Sequence, residues 1–290
     1  MLPSRQILSS FLILGPGLVQ AHITSRTVSA RNTPEEWEKH PTATGSWPIY
    51  GIDISRPLTS TPDANAYGQG NGWSIDVAVT YNWTENPFSR SKNRYGVTLT
   101  APEKPFEVLD ASNSSAGYQM CNQVWFKTTW SAEQRKKLAE DVDGSCNGVI
   151  PDDCVRDLTQ SLKDEGCGDD VDRPASCDAV FQDAGVVRSD PVSSFANALD
   201  KASPSFKLAG ASSDPTAESE HGELEQTYDE AVAQVFAVLL LWEYDDGENK
   251  SDYSVFRCVR ATDVGAPSSS FRQTVSLGLV ALGVLVALGI

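Results

Sequence analysis

The groups in this chain with a capacity for chemistry are 39 carboxylates, six cysteines and three histidines. Nucleophilic catalysis needs a base beside the attacking hydroxyl or thiol, and its common serine setting, Gly-x-Ser-x-Gly, does not occur. His22 and His40 lie in a polar stretch near the amino end, and His221 sits among Glu218, Glu220 and Glu223, where a solvated imidazole is the natural reading. A glycosidase needs only two carboxylates, about 5–5.5 Å apart for retention or about 6.5–9.5 Å for inversion, and so many acids leave that condition open. Trp73, Trp83, Trp125 and Trp130 could stack on sugar rings, but the residues around Trp73 and Trp83 alternate in a way that turns both toward a core. No catalytic residue is assigned on this basis.

Metal ligation fares similarly. The cysteines at 121, 146, 154, 167, 177 and 258 contain no Cys-x-x-Cys pair, and the histidines stand far from them in sequence, so a zinc site is not indicated. Asp141-Val142-Asp143-Gly144 resembles part of a calcium loop, but Ala139 stands where the first acid is required, and a solvated turn fits better. His22 is the sharpest metal candidate. Exposed as a first residue, it could offer copper both its amino group and its imidazole, as in oxidative polysaccharide enzymes whose mature chains begin with histidine. Such a site needs a second histidine, and neither His40 nor His221 is well placed. No metal or other cofactor is expected.

The chain ends determine where these groups would operate. Arg5, an apolar centre over residues 7–14 and Val19-Gln20-Ala21 form a secretory leader, with Gly15-Pro16-Gly17 breaking its helix before the cleavage site. Cleavage after Ala21 would leave His22 first. Residues 275–290 are apolar and uncharged but fall short of the about 20 residues that span a bilayer. They match the removed tail of a glycosylphosphatidylinositol (GPI) signal, in which small residues at the attachment site precede a polar spacer of about 8–12 residues. Gly265-Ala266-Pro267-Ser268-Ser269-Ser270 supplies the small residues, and Gly265 is the expected attachment point, with Asp263 and Ser268 as alternatives.

A secreted chain meets an oxidising compartment, where an even number of cysteines reads as three disulfides of unresolved connectivity. Asn82, Asn113 and Asn249 each begin an Asn-x-Ser/Thr glycosylation site. The net charge is −16, and removal of Arg5 and Arg272 with the two ends makes it two units more negative. Such a surface is repelled by phosphate backbones and anionic lipid, which excludes nucleic acid as a partner and leaves the membrane to be reached through the lipid anchor. Cell-wall polysaccharide remains open as a partner.

The elements that must position these groups follow from periodicity. Trp73, Ile75, Val77, Val79, Tyr81 and Trp83 alternate with polar residues as a half-buried strand, with Asn82 on its polar face. Tyr95, Val97 and Leu99 continue as an antiparallel partner, and residues 124–130 form a third strand. Ser131 with Gln134 makes a capping box for a helix reaching about Asp141. Pro151, at the first helical position, opens a second helix with a Val155, Leu158 and Leu162 stripe that ends at Gly166. Asp190-Pro191 starts a third, with Phe195 and Leu199 inward. Residues 201–222 read as a long mobile loop. Leu224, Tyr228, Ala231 and Val235 hold helical spacing, whereas the apolar run 235–242 fits helix or strand; the turn near Gly247 and the returning residues 253–259 favour a hairpin.

The blocks Cys121-Asn122-Gln123-Val124, Asp143-Gly144-Ser145-Cys146, Asp153-Cys154-Val155-Arg156-Asp157-Leu158, Tyr228-Asp229-Glu230-Ala231 and Cys258-Val259-Arg260-Ala261 resemble those of uncharacterised secreted, GPI-anchored proteins of filamentous fungi. The resemblance covers about the middle two thirds of the chain. It implies a fungal cell surface and carries no activity with it.

The expected architecture is α+β, an antiparallel sheet with several short helices in one disulfide-stapled domain. Its parts are a leader (1–21), a loose lead-in (22–45), the ectodomain (46–262), a stalk with the attachment region (263–274) and the removed tail (275–290). The expected role is that of an anchored surface glycoprotein, structural or ligand-binding. A secreted carbohydrate-active enzyme is the alternative.

Overall fold

The structure, a computed structural model, describes residues 35–54, 67–85, 92–102, 118–126, 130–165, 173–182, 184–188, 205–213, 228–245 and 250–264. The strands are β1 (Ala43–Ile52), β2 (Tyr67–Trp83), β3 (Lys92–Thr100), β4 (Tyr118–Phe126), β5 (Gly185–Arg188), β6 (Ser205–Ser213), β7 (Val235–Asp245), β8 (Lys250–Arg260) and β9 (Asp263–Val264). The helices with both ends among the described residues are α1 (Ala132–Glu140), α2 (Asp152–Glu165) and α3 (Asp178–Phe181), with 3-10 turns at Glu36–Lys39 and Ala175–Cys177, and residues 228–232 are helical as expected. The strands make two sheets rather than one, a five-stranded sheet in the order β6-β3-β2-β1-β9 and a four-stranded sheet in the order β5-β4-β7-β8. All the recorded strand pairings are antiparallel.

The sheets stack face to face, and the helices cover the far side of the smaller one. Trp73, Ile75, Val77 and Val79 of β2, with Val97 and Leu99 of β3, meet Phe236, Val238, Leu240 and Trp242 of β7 in one core. Val235, Ala237, Leu239 and Leu241, on the other face of β7, pack with Leu138, Cys154, Leu158, Leu162 and Phe181 in a second. This is why residues 235–242 are apolar throughout. A strand covered on both sides loses the two-residue alternation that would identify it. Its pairing with β8 over Val235↔Arg260 to Asp245↔Lys250 is the expected hairpin.

Polar and aromatic contacts join the layers. The Asn122 amide donates to the Leu208 carbonyl at 3.1 Å, tying β4 to β6 across the sandwich. Trp73 meets Trp242 edge to face with ring centres 5.9 Å apart, and Trp125 stacks on Phe181 at 5.5 Å. Cys146–Cys258 fastens the α1–α2 connection to β8, and Cys154–Cys177 fastens α2 to the 3-10 turn at Ala175–Cys177. Cys121 is disulfide-bonded as well, whereas Cys167 lies outside the described residues. Paired thiols of this kind agree with folding in an oxidising, extracellular route. None of the helices among the described residues is long and apolar enough to cross a membrane.

Several boundaries differ from expectation. Packed structure is present before residue 46: Trp37 is buried, and β1 starts at Ala43, where small buried residues carry no apolar signal. Gly45 is required there because a Cβ would lie 2.1 Å from the Arg260 carbonyl oxygen of the crossing strand. Residues 205–213, expected within a loop, form the edge strand β6, with Phe206 and Leu208 in the core and a register shift opposite Val97/Thr98. At the other edge β9 pairs with β1, so the first two residues of the expected stalk form a strand. Pro151 caps α2 instead of occupying its first turn, since its carbonyl accepts from the Val155 N–H at 3.1 Å. The helix expected at Asp190-Pro191 falls outside the described residues.

Candidate functional site

The outward row of β1, Thr44, Ser46, Pro48 and Tyr50, alternates with the buried Ala43, Gly45, Trp47 and Ile49. Antiparallel register sets Ser46 opposite Asp76 and Pro48 opposite Ser74 on β2, with Thr100 of β3 opposite Ser74. Three hydroxyls converge on one carboxylate from these positions. Ser46 Oγ donates to Asp76 Oδ1 at 2.6 Å, while Thr100 Oγ1 and Ser74 Oγ donate to Oδ2 at 2.5 Å and 3.2 Å. Each hydroxyl has spent its proton on Asp76 and retains its acceptor lone pairs. The cluster therefore presents acceptors, not an activated nucleophile, because no imidazole stands in it to take a proton. Tyr50, 57% exposed, is the large aromatic left open to solvent among the described residues.

Elsewhere on this face a second polar group is closed on itself. The 3-10 turn at Glu36–Lys39 lays Trp37 over Gly96, where a Cβ would come within 3.0 Å of the indole, and the Thr80 hydroxyl donates to the Trp37 carbonyl at 2.8 Å. Lys207 reaches Glu35 at 3.1 Å and Glu38 at 2.9 Å, and its ammonium lies 5.3 Å from the Trp37 ring centre. Burial raises the Glu35 carboxyl, but hydrogen bonds from Trp37 and Lys207 and the charges of Lys207 and Arg94 outweigh it and hold the group below its ordinary value. With two carboxylates around its single ammonium, this brace pins the lead-in to the sheet and offers no free cation to a ligand.

The residues singled out from the sequence distribute as follows. Trp73, Trp125 and Trp130 are 1%, 2% and 6% exposed, so they serve the core and not a sugar platform, and Trp83 is half-buried. Asn82 occupies a left-handed conformation, φ 57°, beside a register shift between Thr80 and Trp83; it is half-buried, and its N–H donates to Asn93 Oδ1 at 3.1 Å. Asp141 is consumed by its turn, accepting from the Cys146 N–H at 2.7 Å, the Asp143 N–H at 3.3 Å and the Ser145 hydroxyl at 3.2 Å. Among the described residues there is no group of three or more His, Cys, Asp or Glu arranged to hold a metal ion. His22, Asn113, Asn249 and Gly265 lie outside the described residues.

Sequence reasoning passed over Tyr50 and Asp76. The signal for Tyr50 was its parity, opposite to that of Trp47 and Ile49. Asp76 had no local signal, because its three partners come from three strands. No family model, curated protein or solved structure matches the chain.

Proposed function

We propose that this chain is a secreted glycoprotein held at the cell surface by a lipid anchor, of the kind found in filamentous fungi, and that it binds ligand rather than transforms it. The observation that carries the reading is a disulfide-stapled domain lying between an apolar leader and an apolar carboxyl-terminal stretch. A paired-cysteine core suits the secretory route, and β9 closes the domain immediately before Gly265, the attachment residue in this reading. Binding is favoured over catalysis by the state of the polar groups. Asp141 caps backbone, Asp157 accepts from the Ser176 hydroxyl at 2.8 Å, Glu243 accepts from the Gln119 amide at 2.8 Å, and Asp252 pairs with Lys163 at 2.6 Å. These carboxylates are engaged in holding the fold.

The test is release from intact cells. Phosphatidylinositol-specific phospholipase should move the protein into the medium, and mass spectrometry of the released form should find residues 275–290 missing. Retention of a chain that still ends at Ile290 would overturn the anchor.

A further inference from the structure

We infer that the outer face of the five-stranded sheet, centred on Tyr50 and Asp76, is a binding site for a neutral polysaccharide; this rests on the surface-protein reading and deepens it. Sugar recognition needs an exposed ring to lie against the C–H face of a pyranose and acceptors for its hydroxyl protons. Both occur on one strand row. Tyr50 stands open to solvent, and Pro48 beside it extends the apolar strip. Ser46, next along, joins Ser74 and Thr100 on Asp76, so that their lone pairs and the carboxylate form a fixed acceptor array. From Ser46 to Tyr50 the strand covers about 13 Å at about 3.3 Å per residue, enough for more than one sugar ring.

Charge selects the ligand class. The chain carries −16 overall, which disfavours polyanions such as uronate polymers or nucleic acid. The Lys207 ammonium near this face is neutralised by Glu35 and Glu38 and cannot recruit them. The three hydroxyl donors hold the Asp76 carboxylate in place, so a ligand meets a row of acceptor lone pairs on hydroxyl and carboxylate oxygens, which hydroxyl donors match. A neutral chain of hydroxyls meets none of these penalties, and its donors complement the acceptor array.

The experiment is affinity electrophoresis of the full chain, produced in a secretory host, through gels containing a soluble β-glucan, a mannan or polygalacturonate. The expected result is retardation by a neutral polymer and not by polygalacturonate. Tyr50→Ala should weaken binding at least about tenfold and Tyr50→Phe much less, with thermal midpoints unchanged because the ring is exposed. Asp76→Asn, which keeps the shape but loses charge and one acceptor oxygen, should weaken binding too. Retardation equal in wild type and Tyr50→Ala would overturn the site while leaving the surface reading intact. Absence of retardation by either neutral polymer, with phospholipase still releasing the protein, would overturn the ligand class and leave the anchor reading standing.

Discussion

Asp141 holds the turn between α1 and α2 by accepting from two backbone N–H groups and the Ser145 hydroxyl, and the Cys146 N–H among these donors belongs to a cysteine in the left-handed region, φ 63°. Asp141→Ala would leave these donors without their acceptor and should cost about 1–3 kcal/mol, read as a lower midpoint in urea. A variant as stable as wild type would show that water replaces the carboxylate there. Glu35 makes a pH prediction. Its carboxyl is held below the ordinary 4.5 in the fold, so its stabilisation is fully present above that value and is lost as pH falls through the lowered folded value. The thermal midpoint difference between wild type and Glu35→Gln should therefore shrink below pH 4.5. A difference that stays constant from neutral to strongly acidic pH would contradict this assignment.

At the scale of elements, β7 is the distinctive strand because both its faces are buried. Leu239→Ala and Leu240→Ala, on opposite faces, should each cost about 2–5 kcal/mol, whereas an ordinary half-buried strand would show one large and one small effect. Thermal melts of the two variants decide between these patterns. The same geometry explains what could be read from the sequence. β2 and β3 were visible because one face is core and the other polar, and α1 because Ser131 and Gln134 form the expected capping box, with the Gln134 N–H donating to Ser131 Oγ at 3.2 Å and the Ser131 N–H to Gln134 Oε1 at 3.0 Å. β6 was hidden because an edge strand built on Phe206 and Leu208 has too few apolar residues to stand out. β1 was partly hidden for a different reason. Its close crossing with β8 demands Gly45, which reads locally as a loop residue. The two-sheet arrangement was hidden because separate strand patterns do not say which strands share a sheet, and the Asp76 cluster, assembled from three strands, was hidden with it.

At the scale of the molecule, stability depends on how the helical layer is fastened to the sandwich. The Cys146–Cys258 bridge closes a sequence separation of 112, against 23 for Cys154–Cys177. Loop-closure entropy gives about 4–5 kcal/mol for the first and about 3 kcal/mol for the second, the first being reduced where the second already shortens its loop. Replacing Cys146 and Cys258 by serine together should lower the unfolding midpoint more than the same change at Cys154 and Cys177. The reverse order would show that the chain-entropy argument does not govern this fold.

The proposed role belongs to the same scale: an anchored domain that holds a polymer and leaves it intact. Its most direct test is to incubate the full chain with insoluble glucan, chitin, mannan and cellulose, with and without copper and a reductant, and to measure both retained protein and soluble sugar. The account predicts protein retained on a neutral polymer with no sugar released under either condition. Soluble sugar appearing in proportion to the protein would contradict it and turn attention to the carboxylates, or to His22 if copper and reductant were required.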